Sequence, residues 1–277
     1  MIAHNKPRAF AAKLALELLM LAVAVIYLVP VWMIVTNSLK PAEKANQLSI
    51  QLPDVFLFQN YANVIEQSNA LRGLGNGLLL GAVVVVLTVL FSSMAAFYMA
   101  RAANRMSSFF YSYFVSGLII PIAIVPTYFT LLILHLNNTY TGLILIFVTY
   151  TLPLSIFLYT GFIKSVPREL DEAAIVDGCS SFQMFVKVIF PLLGPVSMTV
   201  IVFNFIGVWN EVQAYLFFAG GDKWPLPMTV YLFFGKYSQS WNLVFANILL
   251  SIIPSLLLFM SVQKYIVSGL TAGAVKG

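Results

Sequence analysis

The densest group of charged side chains in this sequence lies in a short segment between two long apolar runs. The 277 residues include 15 basic and ten acidic residues, and seven of these lie between Lys164 and Lys187. Charged groups are costly to bury in hydrocarbon, so this segment must contact water or a partner protein. The seven residues are Lys164, Arg168, Glu169, Asp171, Glu172, Asp177 and Lys187.

Within this segment the residue types predict two helices joined by a glycine turn. Ser165 can cap the first helix and Pro167 suits its first turn, where acidic residues favour the positive end of the helix dipole. Gly178 can supply the left-handed residue that ends this helix. Ser181 can cap a second helix, whose apolar residues recur at helical spacing before Pro191. These apolar residues are Phe182, Phe185, Val186, Ile189 and Phe190.

The spacing of the segment resembles the cytoplasmic signature of binding-protein-dependent ABC importer permeases. It reads Glu172-Ala173-Ala174, then Gly178, then Val188, Phe190 and Pro191, with Val188 and Phe190 replacing the usual isoleucine and leucine. The resemblance implies that the segment docks on a separate ATP-hydrolysing subunit, where Glu172 would pair with a basic residue. From the residues alone, a solvated amphipathic loop is the alternative. The ATPase-coupling residues implied by the resemblance are Glu172, Ala173, Ala174, Asp177, Gly178 and Pro191.

The C-terminal tail carries a second resemblance. Composition alone predicts a flexible terminus from residue 268 to residue 277. The sequence of this tail closely resembles the ending of the carbohydrate branch of these permeases, in the second membrane subunit of the maltose type. The resemblance implies that a coupling tail reaches into the ATPase dimer. Its residues are Gly273, Ala274, Val275, Lys276 and Gly277.

Composition indicates an integral membrane protein. The chain is 60% hydrophobic and 9% charged, whereas a soluble domain is about 25% charged. Six apolar runs are long enough to span a bilayer, which predicts an all-α membrane protein with six transmembrane helices. Together with the coupling helix-turn-helix, the resemblance implies a type I ABC importer permease. The runs are residues 14–36, 74–100, 109–134, 142–163, 192–218 and 243–267.

An even number of spans places both termini on one side of the membrane. Ten of the 15 Lys and Arg residues lie on that side, which is therefore cytoplasmic by the positive-inside rule. The resemblance implies a multi-pass protein of a bacterial or archaeal cytoplasmic (inner) membrane. It also predicts a single transmembrane permease domain over residues 1–277, with a core at about 70–267, the coupling segment at 164–191 and the tail at 268–277.

The second predicted span begins with a face of small residues. Gly73, Gly77 and Gly81 recur at every fourth position, a spacing typical of closely packed membrane helices. The span ends in the stretch from Ala95 to Arg101, which resembles the close of this helix in the permease family.

The fifth predicted span carries a polar stripe. Ser197, Asn204 and Glu211 recur every seven residues and so fall on one helix face, beside Trp209 and Asn210. A carboxylate within a span is expected to face a cavity, a partner or the interface. Amides, a carboxylate and aromatic rings suit sugar recognition, so these five residues form a candidate substrate path. Helix–helix hydrogen bonding is the alternative.

A short loop follows this span on the predicted outer side. It is expected to be flexible at its glycines and stiff at its prolines. From the residues alone it is a turn; the resemblance implies that it meets the solute-binding protein. The loop residues singled out for this contact are Gly220, Gly221, Asp222 and Trp224.

The leading functional prediction is a permease subunit of an ATP-driven, binding-protein-dependent importer of di- or oligosaccharides. The chain has no G-x-x-x-x-G-K-[ST] loop, so it is expected to be non-catalytic, with ATP and magnesium held by a partner chain. No metal or other cofactor is expected in this chain. The implied partners are a second homologous permease, two ATP-binding subunits, an extracellular solute-binding protein, membrane lipid and the sugar.

Other functions remain open at this point. A secondary transporter of a small polar solute would normally show inverted repeats and intramembrane ion-coupling charges, and no convincing repeat is evident. A permease of the same family could carry a non-sugar such as glycerol phosphate. A membrane enzyme would need paired carboxylates, a serine–histidine arrangement or metal-ligand spacing within the spans, and the sequence offers none of these.

Overall fold

The computed structural model describes residues 6–102, 104–121, 123–234 and 240–274, and these residues are predominantly helical, which confirms the all-α prediction. A π-helical turn (Phe185–Ile189) and two 3₁₀ segments (Gly221–Lys223 and Leu226–Phe233) interrupt the α-helices. The α-helices are α1 (Lys6–Ser38), α2 (Ala42–Ala45), α3 (Gln59–Gln67), α4 (Ala70–Arg101), α5 (Arg105–Ser116), α6 (Ile124–Ile133), α7 (Tyr140–Ser165), α8 (Glu169–Val176), α9 (Ser181–Met184), α10 (Phe190–Leu192), α11 (Gly194–Asn210), α12 (Gln213–Phe218) and α13 (Trp241–Ala274).

Within the described residues, four helical stretches are long and apolar enough to cross a bilayer. A fifth is formed if the bent pair Ser181–Leu192 and Gly194–Asn210 counts as one span, its two arms meeting at 78°. The predicted count of six spans is therefore not confirmed. The four stretches are Lys13–Ser38, Ala70–Arg101, Tyr140–Ser165 and Trp241–Gln263.

The third predicted span, residues 109–134, is not one helix in the structure. Helix α5 ends at Ser116, and the next three residues form successive i→i−3 turns before α6 begins at Ile124. Pro121 lies in this break, where it has no amide hydrogen to continue a helical ladder. Pro126 instead falls in the first turn of α6, where a missing donor costs little.

The fifth predicted span, residues 192–218, is also interrupted. Helix α11 ends at Asn210 and Glu211 is extended, with φ −65° and ψ 131°. The Glu211 carboxylate accepts a hydrogen bond from the Ala214 amide at 3.1 Å, which satisfies one of the free donors at the start of α12.

The chain divides into two compact units. The first comprises residues 1–70 and 229–250 and is held by an amide network. Asn60 donates to the carbonyls of Ser38 and Lys40 at 2.8 and 2.9 Å and accepts from Asn242 at 2.9 Å. The Lys40 ammonium is buried and donates to Ser49 Oγ at 2.9 Å. These buried amide and ammonium donors of the unit are thus paired, as burial requires, whereas Asn242 Oδ1 is buried without a hydrogen-bond partner among the described residues.

The second unit comprises residues 71–228 and 251–277 and contains two apolar clusters. One cluster joins α4, α7 and α12 around Leu80, Phe147 and Tyr215. The other packs α8 and the π-helical turn against α4 and α7, so it positions the charged segment identified in the sequence. The second cluster contains Ala96, Ala100, Tyr159, Ile163, Ala174, Met184, Phe185, Ile189, Leu193, Val196 and Val200.

The glycine face of α4 packs against aromatic rings of α11. A Cβ atom on Gly77 would lie 2.7 Å from Cε3 of Trp209, and one on Gly81 would lie 2.8 Å from the Phe205 ring. The two rings are themselves stacked, with centroids 5.7 Å apart. The close packing predicted from the glycine spacing is therefore confirmed at Gly77 and Gly81, with aromatic side chains as the contacting groups.

Candidate functional site

Helix α8 divides the predicted coupling residues between two faces. Ala174 is 4% exposed and packs into the apolar cluster of the second unit. Glu172 and Ala173 are exposed, and Val176 is 85% exposed. The helix is therefore anchored by one face and presents the other outward.

A glycine turn ends α8 as the sequence predicts. Gly178 has φ +78°, the left-handed region that glycine adopts without a steric penalty. Its amide donates to the Ile175 carbonyl, and the Cys179 amide donates to the Ala174 carbonyl, both at 2.9 Å. This is the hydrogen-bond pattern of a Schellman C-cap. Asp177 and Gly178 are both exposed at the turn.

Both predicted caps are wrong. Ser165 is the last residue of α7, its hydroxyl donates to the Phe162 carbonyl, and α8 begins after Arg168 without a side-chain cap. The second helix is capped by Ser180 rather than Ser181. Ser180 and Gln183 exchange side-chain to backbone hydrogen bonds, which form a capping box. The Ser-x-x-Gln spacing in the sequence was the signal for this cap.

The second helix of the segment is not uniform. The Phe190 amide donates to the Phe185 carbonyl, five residues back, in a π-helical turn. Phe185 and Ile189 are buried, but Phe182 and Val186 are exposed. The predicted apolar face is therefore split, with part of it packed inside the chain and part facing outward. Pro191 is exposed one residue beyond Phe190.

The exposed side chains of α8, α9 and the π-helical turn are together named the coupling surface. Its exposed apolar residues lie among the exposed carboxylates of Glu169, Glu172 and Asp177. An apolar helix face with charges at its rim is suited to dock in a groove of another protein. The apolar members are Leu170, Ile175, Val176, Phe182 and Val186.

Three residues of the predicted substrate path are buried in helix contacts. Ser197 accepts a hydrogen bond from the Tyr159 hydroxyl at 2.8 Å. Asn204 donates to Ser155 Oγ at 3.0 Å, joining α11 to α7. The Trp209 indole donates at 3.0 Å to a backbone carbonyl of α13. Their polar groups are thus used within the chain, as in interhelical hydrogen bonding.

The other two residues of the path remain accessible. Asn210 is exposed and donates to the Ile206 carbonyl at 3.0 Å, and Glu211 is half-buried. Phe203 and Gly207 are exposed on the same face of α11 as Asn210. The structure therefore does not bring the five predicted path residues onto one open surface.

The predicted binding-protein loop is fastened to the neighbouring helices. The Gly220 amide donates to Asn138 Oδ1 at 2.7 Å. The Asn76 side chain, near the start of α4, donates to the carbonyls of Asp222 and Trp224 at 2.9 and 3.2 Å. Hydrogen bonds thus hold the loop at both ends, and the expected flexibility at its glycines remains a prediction.

The tip of this loop is accessible. Gly221 and Asp222 are exposed, and the Lys223 ammonium lies 2.7 Å from Asp222 Oδ2. The hydrogen bond from Lys223 lowers the pKa of the Asp222 carboxyl below its usual range. Asp222 therefore presents a negative charge at an exposed position whose backbone carbonyl accepts a hydrogen bond from Asn76.

The predicted coupling tail is described in part. Gly273 and Ala274 are the last residues of α13. Val275, Lys276 and Gly277 lie outside the described residues.

The coupling segment and α11 both lie within a region shared with known transport proteins. Residues 89–271, well over half of the chain, match the family described as "Binding-protein-dependent transport system inner membrane component". The chain belongs to this family. As one of its members, it is a multi-pass membrane protein of the transport permease type.

Relatives of this inner membrane component include curated sugar permeases. This chain is 32% identical over 266 residues to the melibiose/raffinose/stachyose import permease MelC of Bacillus subtilis. The match covers 95% of this chain and 96% of MelC. The chain is 31% identical to the multiple sugar-binding transport system permease MsmG of Streptococcus mutans, covering 91% and 93%. The arabinooligosaccharide permease AraQ of Bacillus subtilis is 27% identical with full coverage of both chains.

A solved structure shares the fold. It is the crystal structure of a bacterial ABC transporter that imports the acidic polysaccharide alginate, with a TM-score of 0.80 and 21% identity. The match covers 96% of this chain and 99% of that one. The architecture of the inner membrane component is therefore that of an ABC importer permease.

Sequence reasoning missed one polar contact of the coupling segment. Arg101, the last residue of α4, pairs with Asp171 in the first turn of α8, and Nε lies 2.6 Å from Oδ2. Both side chains are largely buried, at 13% and 15% exposure. Arg101 lies at the end of α4, in the stretch that resembles the permease family, but the sequence does not show which of the acidic residues pairs with it.

Proposed function

We propose that this chain is the permease subunit of an ATP-driven importer that receives a sugar from an extracellular binding protein. The coupling surface carries this proposal. Its apolar residues stay exposed although Ala174 on the opposite face of α8 is packed, so a partner can cover them. Glu172 is exposed at the rim, where a basic residue of an ATPase subunit can pair with it.

The proposed assembly contains this chain, a second homologous permease, two ATP-binding subunits and an extracellular solute-binding protein. ATP and magnesium are held by the ATP-binding subunits, and this chain performs no catalysis. Both termini lie in the cytoplasm and the chain resides in the cytoplasmic (inner) membrane. The coupling tail, Gly273–Gly277, engages the ATPase pair, and the loop from Gly220 to Trp224 meets the binding protein.

A sugar substrate is supported by the names of the relatives. MelC is named for melibiose, raffinose and stachyose. MsmG is named for multiple sugars, and AraQ for arabinooligosaccharides. All three names refer to sugars, and those of MelC and AraQ refer to di- or oligosaccharides, the class proposed for this chain. In this chain, Asn210 and Glu211 offer the accessible amide and carboxylate of the candidate path, and such groups bind hydroxyls.

A cross-linking experiment tests the docking of the coupling surface. Cys179 is replaced by serine, and single cysteines are introduced by Ala173→Cys and Ala174→Cys in the complex assembled with its ATPase. Ala173 is exposed and Ala174 is 4% exposed. We expect a cross-link to the ATPase from position 173 and a far weaker one from position 174. Absence of a cross-link from position 173, at normal membrane levels, contradicts the proposed docking.

A charge reversal tests coupling in the same complex. Glu172→Lys is expected to abolish co-purification of the ATPase and ATP-dependent uptake in proteoliposomes, because it places a cation opposite the proposed basic partner. Glu66→Lys, on α3, reverses another exposed acid and serves as the matched control. Unchanged association and unchanged uptake in Glu172→Lys would refute the proposal.

Uptake with a panel of labelled solutes tests the substrate class. The wild-type complex and its binding protein are supplied separately with raffinose, melibiose, maltose and glycerol 3-phosphate. ATP-dependent uptake of one or more sugars is expected. Uptake of glycerol 3-phosphate alone would show that the substrate is not a sugar, and uptake without any ATPase subunit would favour a secondary transporter.

A further inference from the structure

The coupling segment is attached to α4 at two points that lie one helical turn apart. Arg101 contacts α8, and Phe97 contacts the π-helical turn through Phe185, with ring centroids 5.5 Å apart. Residues at i and i+4 lie on the same face of a helix. A single face of α4 therefore holds both helices of the coupling segment, one through charge and one through an aromatic contact.

The charged attachment joins three helices. The Arg101 guanidinium lies 2.6 Å from Asp171 Oδ2, and its Nη2 donates to Asp171 Oδ1 at 3.3 Å and to the Val166 carbonyl at 3.2 Å. Val166 is the C-cap residue that follows α7. Arg101 thus connects the end of α4, the end of α7 and the start of α8.

Both charges are favoured by the helices that carry them. Arg101 lies in the last turn of α4, where the helix dipole is negative, and Asp171 lies in the first turn of α8, where it is positive. The pair lines a groove of about 520 Å³ whose other walls include Met94, Tyr98 and Phe182. Because both side chains are at most 15% exposed, salt screens their attraction less than that of a solvent-exposed pair.

The two adjacent acids of α8 therefore have different environments. Asp171 is turned toward α4 and is largely buried, whereas Glu172 is exposed on the coupling surface. Neighbouring residues on a helix point about 100° apart, so one acid can be held inside while the next faces a partner.

We propose that Arg101 is a positioning residue that sets the angle of α8 against the end of α4. Displacement of the coupling surface then moves α4 together with α8, and the coupling segment keeps its shape. The proposal rests on the proposed function, in which an ATPase displaces the coupling surface.

The test measures ATPase association, ATP hydrolysis and sugar uptake in the reconstituted complex. Arg101→Met is expected to keep the ATPase bound but to lower sugar imported per ATP hydrolysed roughly tenfold, equivalent to about 1.4 kcal/mol of coupling energy. Arg101→Lys keeps the charge but loses the guanidinium Nη2 that donates to both Asp171 and Val166, so its coupling ratio is expected to fall between those of Arg101→Met and wild type. Arg105→Met, at an exposed position of α5, is the matched control.

A charge exchange separates positioning from a general structural role. Arg101→Asp combined with Asp171→Arg restores the ion pair and is expected to recover part of the coupling ratio lost in each single variant. Recovery is partial because each exchanged charge opposes the dipole of its helix. A wild-type ratio in Arg101→Met, or an exchange variant no better than the single variants, overturns the proposal. Failure of every Arg101 variant to accumulate in the membrane also rejects it, because the pair would then serve folding.

The outcome is distinguishable from failure of the proposed function. If Glu172→Lys leaves the ATPase bound, docking itself is wrong whatever Arg101 does. If Glu172→Lys releases the ATPase while Arg101→Met transports normally, docking stands and the positioning role is rejected.

Discussion

The coupling segment and the polar stripe of α11 were both predicted to contact molecules outside this chain, but they differ in how far they are buried. Glu172, Ala173 and Val176 remain exposed on an anchored helix. Ser197, Asn204 and Trp209 are buried, and their polar atoms bond to neighbouring helices. A charged segment between spans is left open because charges resist burial, whereas lone polar groups within a span find partners inside the chain.

The largest loss of stability is expected where Trp209 of the polar stripe packs against α4. Gly77→Leu places a side chain into the Trp209 ring, and overpacking of this kind costs up to about 3 kcal/mol. Gly75→Leu is the control, because a Cβ at this position has no atom within 4 Å. Thermal unfolding in detergent should show a large loss for Gly77→Leu and little for Gly75→Leu. Equal stability of the two variants would mean that Trp209 is not packed as described.

A smaller effect is expected at the turn of the coupling segment. Gly178→Ala forces a left-handed backbone at a cost of roughly 1–2 kcal/mol, with no clash because nothing lies within 4 Å of the added Cβ. Gly161→Ala adds the same methyl group in open space on α7 and should be tolerated. ATPase association and uptake are the measurements. Normal coupling in Gly178→Ala would show that the segment does not depend on this turn.

Loss of one buried hydrogen bond in the polar stripe should lower stability by less than the strained turn at position 178 does. Asn204→Leu removes the bond to Ser155, an interhelical interaction worth about 1 kcal/mol, while Ser155 keeps its bond to the Thr151 carbonyl. Thermal stability should fall slightly, and the sugar concentration for half-maximal uptake should not change. A change in sugar preference at unchanged stability would instead return Asn204 to the substrate path.

The smallest change in stability is expected at the accessible end of the stripe. Asn210→Ala alters an exposed side chain and should change stability by less than about 0.5 kcal/mol. If the accessible face of α11 lines the substrate path, uptake should nevertheless weaken at low sugar concentration. Wild-type uptake over the full concentration range would remove Asn210 from the path and leave Glu211 as its remaining accessible candidate.

Local features were the easiest to predict from this sequence. The left-handed turn at Gly178 follows from glycine at the end of an amphipathic stretch, and the close packing at Gly77 and Gly81 follows from their spacing. Long apolar runs located four helical stretches suited to membrane spanning. These features depend on residues close together in the chain.

Features that depend on distant residues were not predicted. The partner of Arg101 lies 70 positions away, and nothing in the local sequence distinguishes Asp171 from the neighbouring acids. The division of residues 109–134 into α5 and α6 was missed because hydropathy continues across the break that contains Pro121. The choice of Ser180 over Ser181 as a cap was decided by Gln183, which lies three residues after Ser180, as a capping box requires, but only two after Ser181.

The 78° corner between the helical stretch Ser181–Leu192 and α11 has a mechanical consequence. Because the chain bends by 78° at this corner, only about a fifth of a push along the axis of the shorter arm acts along the longer one. Such a push tilts α11 about the corner rather than sliding it lengthwise. A small displacement of Ser181 would then move Asn210, at the far end of the longer arm, sideways.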